Sequence, residues 1–291
     1  MALSWTMDKL GTLARSAEDC ALVLNAIHGP DGHDLSAATT YYRWPSDENL
    51  RSLRVGYIKS DFDEPKPLQA AEPKQGETEE ERKKRERRNE SRKTARARQD
   101  YDRRYDVATL DKLRAMGYKL IPVELPKLPY GAMTALLTAE AAAAFDELTR
   151  SGRDKLLTEQ GPYDWPNDFR VSRFYPAVEY IQANRARMLA IQQVSALFET
   201  VDIIVAPSGG EQLVATNLTG HPALIVPNGI RGNDAPMPPK VDSGFSDDIG
   251  GPGTPVSITF LAGLYDDARL AKFGEAYQQA TGFNKLHPKL D

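Results

Sequence analysis

The chain has 291 residues, a formal net charge of −4, and 41% hydrophobic and 27% charged residues. That is the make-up of a soluble protein able to bury a sizeable core, as one large domain or two small ones. A mildly acidic chain is not built to coat nucleic acid or an anionic membrane. Its single cysteine, Cys20, excludes an intramolecular disulfide framework and a cysteine-based zinc site. Of the four histidines only His28 and His33 lie close together, around a Gly-Pro-Asp-Gly turn, so a structural zinc site is not expected. No apolar run approaches the roughly 18 residues that span a bilayer. The first nine residues show no basic-then-apolar leader, which makes the cytoplasm the expected compartment.

The chain opens on an apolar stretch, Ala2 to Met7, that reads as strand-like or extended. Ser16-Ala17-Glu18-Asp19 then resembles a capping box that starts a helix. Cys20, Leu24 and Ile27 fall on one face of it, and Gly29-Pro30 stops it. Residues 53–58 read as a strand, 107–116 as the end of a helix stopped by Gly117, and 118–125 as a second strand. Strand, helix, strand implies a parallel pair. Between the two strands, Glu77 to Arg104 carries 12 Lys/Arg and 8 Asp/Glu, so this stretch holds +4 and the rest of the chain −8. With almost no aliphatic residues, it reads as a solvated, partly helical insertion or a loop over 72–106. Its only aromatics are Tyr101 and Tyr105, and its acids dilute the field, which argues against a nucleic-acid arm.

Helices are expected over 132–150 and 175–200, strands over 201–206, 223–227 and 256–262, and a last helix over 267–281. A long surface loop is expected over 228–255, with an extended run at Pro236–Pro239. The expected fold is α/β, a mixed twisted sheet flanked by helices, as one domain over 1–291 with one charged insertion. No Rossmann loop, phosphate-binding loop or Gly-x-Ser-x-Gly elbow occurs. Ser208, in Pro207-Ser208-Gly209-Gly210 after a buried strand, is the one serine in a glycine-rich turn, with Glu211 and His221 nearby. It lacks motif spacing to a base, so a turn that satisfies its own backbone is the favoured reading.

Four ordered blocks carry a resemblance. The first is Leu3-Ser4-Trp5-Thr6-Met7-Asp8-Lys9-Leu10-Gly11 with Ala14 to Leu24. The others are Pro176 to Arg185, Thr216 to Ala223, and Pro255 to Phe260 with the helix after it. Together they resemble the amidase signature family, which includes free-standing amidases and the A subunit of glutamyl-tRNA amidotransferase. The resemblance implies hydrolysis of a carboxamide C–N bond by a Ser–cis-Ser–Lys triad, through an acyl-enzyme and without a cofactor. In the family the triad precedes the first block, and this sequence begins at that block. No catalytic residue can therefore be placed here, and the chain is expected to be inactive alone.

What the resemblance carries over is support and binding. Asp8 and Arg15 match positions after the active-site strand and could pair to buttress the catalytic loop, with Asp19 at the helix start beside them. Arg173, Tyr180 and Arg185 lie on or before the helix that would border the substrate cleft. Thr216, Asn217, Thr219 and Gly220 would form a polar turn on the cleft floor. Plainer roles stand beside each of these: a helix-start network, solvated arginines, a self-capping turn. The implied partners are a small-molecule amide, once an N-terminal half completes the site, and a homo- or hetero-oligomer formed through an exposed sheet edge near residues 2–7. The alternatives are a non-catalytic assembly or binding subunit that docks to a separately encoded N-terminal half, and an amidotransferase A-subunit-like protein.

Overall fold

A computed structural model describes residues 2–33, 39–64, 67–68, 70–73, 76–162, 164–237 and 250–287. Residues 74 and 75 of the expected insertion, and the middle of the expected 228–255 loop with Pro238 and Pro239, lie outside them. In chain order the elements are α1 (Ala17–Ile27), β1 (Val55–Ile58), α2 (Lys59–Phe62), α3 (Glu79–Ala115), β2 (Leu120–Val123), α4 (Tyr130–Met133), α5 (Ala135–Ala144), α6 (Asp146–Arg150), α7 (Trp165–Val171), α8 (Ala177–Leu197), β3 (Ile203–Pro207), α9 (Glu211–Thr219), β4 (Ala223–Ile230), β5 (Pro255–Ala262) and α10 (Asp267–Thr281).

The five strands form one mixed sheet in the order β2-β1-β3-β5-β4. β1 runs parallel to β2 and β3, while β5 runs antiparallel to β3 and β4. β3 is buried over Ile203–Ala206, as a continuous apolar run covered on both faces requires. One core lies on the face where Leu110 and Leu113 of α3 meet Val55, Ile203, Val205, Phe260 and Phe273. The opposite face packs Ile58, Ile204 and Leu261 against Leu197 and Phe198. A third cluster joins Met7, Tyr130, Met133, Leu136, Ala190, Ala215 and Leu218, and belongs to the helices α4, α5, α8 and α9.

Several expectations change. The charged stretch and the helix end after it form one 37-residue helix, α3. Thr78 and Glu81 close a capping box at its start, three glutamates fill its first turn, and Lys112 and Arg114 its last, complementing the helix dipole. Ion pairs a turn apart, Glu79–Lys83 at 3.0 Å and Arg96–Asp100 at 2.7 Å, add support that needs no core. Anchoring starts inside the stretch read as insertion. Arg231 grips Asp102 at 2.7 and 2.8 Å, Tyr101 donates to Asp234 at 2.8 Å, and Tyr105 donates to Ile230 O at 2.8 Å. Both tyrosines are thus occupied at β4, where a Cβ on Gly229 would collide with the Tyr105 ring. β4 runs on to Ile230 with an irregularity between Pro227 and Gly229, which shortens the loop expected from 228. The helix expected over 132–150 breaks into α4, α5 and α6, with Phe145 at φ −101°, ψ 26° between the last two.

The apolar opening is not a strand. Met7 N and Asp8 N both donate to Ser4 O, making a turn whose Ser4 and Met7 are buried. The sheet edges are β2 and β4. Hydroxyls at Ser4 and Thr6 explain the difference, since they find a side-chain carboxylate on α5 and the backbone curls to deliver them.

Candidate functional site

The first matched block acts as a hub. Glu140 on α5 accepts Ser4 Oγ at 2.6 Å, Thr6 N at 2.9 Å, Thr6 Oγ1 at 2.7 Å and Tyr180 OH at 2.9 Å. Burial works to raise its pKa, but the four donors outweigh it and the carboxyl sits below its ordinary range. Tyr180 is pushed up by burial and by its bond to Glu140. Arg187, also on α8, donates to Thr6 Oγ1 at 2.6 Å. Lys9 reaches the other way and donates to Thr216 O at 2.8 Å. Desolvation lowers the Lys9 pKa, against the pull of Asp267. Seven consecutive residues, 3–9, so tie together α5, α8 and α9.

Around this hub the sequence-selected residues divide. Tyr180 lines a groove of about 350 Å³ with Pro129, Met133, Tyr175, Glu179 and Ala183. Arg173 is drawn off to an exposed ion pair with Asp146, which Arg150 shares at 2.8 Å. Arg185 is exposed and donates to Gln182 within its own helix at 3.2 Å. The stretch read as a polar turn is helical: Thr216, Asn217 and Thr219 are on α9, and Gly220 caps it at φ +83°, donating to Thr216 O at 2.9 Å. Thr216 and Thr219 are buried, with hydroxyls bonded back to Gln212 O and Ala215 O at 2.9 Å, whereas Asn217 is exposed. The residues are thus polar without forming a turn, because each threonine can satisfy its hydroxyl on the preceding helical turn. Asp8 and Arg15 take separate partners. Asp8 accepts Leu3 N at 2.6 Å, and Arg15 donates to Asn284 O at 3.2 Å and Leu286 O at 2.9 Å. Asp19 N donates to Ser16 Oγ at 3.0 Å, the cap expected of the helix start.

His221 is fully buried. Nδ1 lies 2.8 Å from Thr219 Oγ1, Nε2 lies 3.3 Å from Ser195 Oγ, and the ring stacks on Phe198. Burial, then the charge of Lys9, lowers its pKa to about 4, so it is neutral at pH 7. Ser208 instead pairs with Thr259 Oγ1 at 2.9 Å, so no Ser208–His221 relay is assembled.

A second feature escaped the sequence reading. Beyond the carboxyl ends of β1 and β3 opens a crevice of about 640 Å³, reached by Ser60, Asp61, Arg98, Asp102, Asp106 and Ser208 among others. It lies where strand order reverses, since β2 flanks β1 on one side and β3 on the other, a place where open sheets hold ligands. Burial raises Asp61 and brings Asp106 to about 6, the latter against the Asn228 hydrogen bond. The signal was the Pro-Ser-Gly-Gly end of a buried strand. Only the strand order, absent from local pattern, gives it meaning. Among the described residues no group of three His, Cys, Asp or Glu is placed to hold a metal ion. Among the same residues no helix is long and apolar enough to cross a membrane.

Comparison with known proteins gives a consistent picture. A family model described as Amidase matches residues 1–89. The glutamyl-tRNA(Gln) amidotransferase A subunit of Roseiflexus castenholzii is 23% identical across all of this chain and 57% of its own length. That of Deinococcus radiodurans is 25% identical across all of this chain and 59% of its own. Among solved structures, a bacterial aryl acylamidase of the amidase signature family superposes with a TM-score of 0.60 at 15% identity, over 94% of this chain and 53% of that one. A chain from a vestigial complex linked to an s-triazine catabolic enzyme gives 0.63 at 19% identity, over 96% and 55%. The chain spans between half and three-fifths of the length of these proteins, and it aligns with the C-terminal portion of the sequence relatives.

Proposed function

We propose that the chain is a member of the amidase signature family, and that it forms the C-terminal, cleft-bearing portion of a carboxamide hydrolase. The attacking serine, the relaying cis-serine and the basic lysine belong to a segment outside these residues, and the 291 residues do not turn over amides by themselves. The observation that carries this reading is the hub. The first matched block is not a loose end, since Ser4, Thr6 and Lys9 fasten it to α5, α8 and α9 and so fix where a triad-bearing segment would stand. Tyr180, with the groove beside it, and Thr216, Thr219 and Gly220 are the cleft residues of this proposal. Arg173, Arg185 and Asn217 are exposed and available to a substrate at its rim, and Asp8, Arg15 and Asp19 give support. Lys9 does not serve as the base, since its ammonium is spent on Thr216 O.

The two sequence relatives named above keep an amidotransferase A-subunit-like protein as the second reading. The test is ammonia release from glutamine, primary aliphatic amides and aryl amides. We expect none from the 291 residues alone, and turnover when they are joined to the remaining portion of the Deinococcus radiodurans relative. Turnover by the chain alone, abolished by Ser208→Ala or Ser195→Ala, would overturn the placement of the triad.

A further inference from the structure

The long helix α8 is apolar on both sides. Its inner side packs Ala183, Ala186, Ala190, Val194 and Leu197 against the helical cluster and the sheet. Its outer side, a turn apart along the axis, presents Val178, Ile181, Met188 and Leu189, which are 63%, 56%, 56% and 55% exposed. A surface helix keeps its large apolar side chains on the face it buries, and these four lie outside that face. The exposed polar residues Glu179, Gln182, Arg185, Gln192 and Gln193 share the helix surface with these four. The groove at Tyr180 runs alongside it and shares Gln182. The hub places Trp5, 76% exposed, next to Thr6, which Arg187 holds on the same helix.

We propose that this outer face of α8 is the docking surface for the remaining portion of an amidase fold, the segment that the relatives carry outside the length this chain matches. The partner is identified by bulk and chemistry. About two-fifths of each relative lies outside the match, and its contact surface must be apolar where it meets Val178, Ile181, Met188 and Leu189, leaving the groove beside Tyr180 open to substrate. The inference rests on the proposed function for the identity of that portion, and its test reads association instead of turnover.

The probe is the portion of the Deinococcus radiodurans relative outside the match. The full chain, with Cys20→Ser, carries one reporter: Ile181→Cys, Met188→Cys, or Lys83→Cys on α3 as control. We expect a 1:1 complex by light scattering, with maleimide labelling slowed at least tenfold at positions 181 and 188 and unchanged at 83. The combined variant Val178→Ser, Ile181→Ser, Met188→Gln and Leu189→Gln should keep the melting temperature of the isolated chain and lose the complex. The proposal is overturned by absence of a complex, by a complex the combined variant forms equally well, by unslowed labelling at 181 and 188, or by a homodimer of the chain alone that protects them. A protected α8 in a complex without amide turnover would sink the proposed function and leave the docking surface standing, whereas turnover with α8 unprotected would do the reverse.

Discussion

The two long helices, α3 and α8, solve opposite problems. α3 projects most of its 37 residues into solvent and needs no cover there, because capping, dipole complementarity and ion pairs a turn apart suffice for a polar helix. It is fixed mainly toward its C-terminal end, by Leu110 and Leu113 in the core and by Asp102, Tyr105, Asp106 and Thr109 against β4 and the residue after it, while Asn89 further back exchanges two hydrogen bonds with the Ala71 backbone. α8 has 21 residues and lies flat on the fold, yet it leaves four large apolar side chains in water. An exposed charged face is a finished surface, whereas large exposed apolar side chains gathered on one helix face mark an interaction surface.

The sharpest break in this comparison falls within α3. Leu113 is fully buried against the sheet, so Leu113→Ala should cost about 2–5 kcal/mol of unfolding free energy in a denaturant titration. Lys84→Ala, in the projecting part, should stay within about 0.5 kcal/mol. Equal losses at the two positions would mean that the charged stretch is integral to the fold.

Next in size is a pH effect that the latch between α3 and β4 should reveal. Burial holds Asp106 at about 6, above an unfolded value near 3.9. The folded state therefore binds the extra proton, and stability from this group falls as pH rises from about 4 to 6. His221 acts in the opposite sense. Its folded pKa is lowered to about 4, the unfolded chain takes the proton first, and stability falls as pH drops from about 6.5 to 4. The two slopes nearly cancel between pH 4 and 6. Asp106→Asn removes one of them. At pH 7 it should stabilise by up to about 3 kcal/mol, from a shift of roughly two units. At pH 4 it should match the parent, so its stability drops steeply on acidification. A pH series of melting curves checks this, and parallel curves for variant and parent would refute it.

Much of the sheet was legible because its strands are short apolar runs bounded by Gly and Pro, and all five appear within a few residues of the expected limits. Strand order was not legible, and with it the crevice at β1 and β3, because pairing is decided by contacts far apart in sequence. The stretch 77–104 was read as a partly helical insertion or a loop, short of one continuous helix, because helix formation there rests on caps and charge spacing, which composition alone hides. The likeness to a turn at 216–220 misled because threonine looks polar in sequence, while in α9 its hydroxyl is absorbed by the preceding helical turn. The role of Glu140 went unnoticed for a related reason. A lone carboxylate in an alanine-rich helix gives no local sign that Ser4, Thr6 and Tyr180 converge on it.

Glu140→Gln then probes whether α8 depends on that hub. The variant turns one acceptor oxygen into a donor among four donors, which should cost about 2 kcal/mol at pH 7. Because the folded pKa lies below the ordinary value, the parent holds this stability above about pH 4.5 and loses it as pH falls further. The difference between parent and variant should shrink on acidification, as acid unfolding curves would show. A constant difference would mean that the carboxylate charge is not what holds residues 3–9 to α5 and α8.

The smallest expected effect concerns Arg173, a cleft candidate just before α8. The candidates Tyr180 and Arg185 lie on α8 itself. Arg173 pairs with Asp146 on the surface, and Arg150 lies 2.8 Å from the same carboxylate, so Asp146 keeps a partner when Arg173 is removed. Arg173→Ala should therefore change stability by less than about 1 kcal/mol, and by less still at high salt, where exposed pairs are screened. That near-silence makes the variant useful. In the chain joined to a triad-bearing portion, a raised KM for the amide at unaltered stability and kcat would assign Arg173 to substrate binding at the cleft rim. An unchanged KM would leave it as one of the solvated arginines of a finished polar surface, on the α3 side of the comparison and apart from the unfinished face of α8.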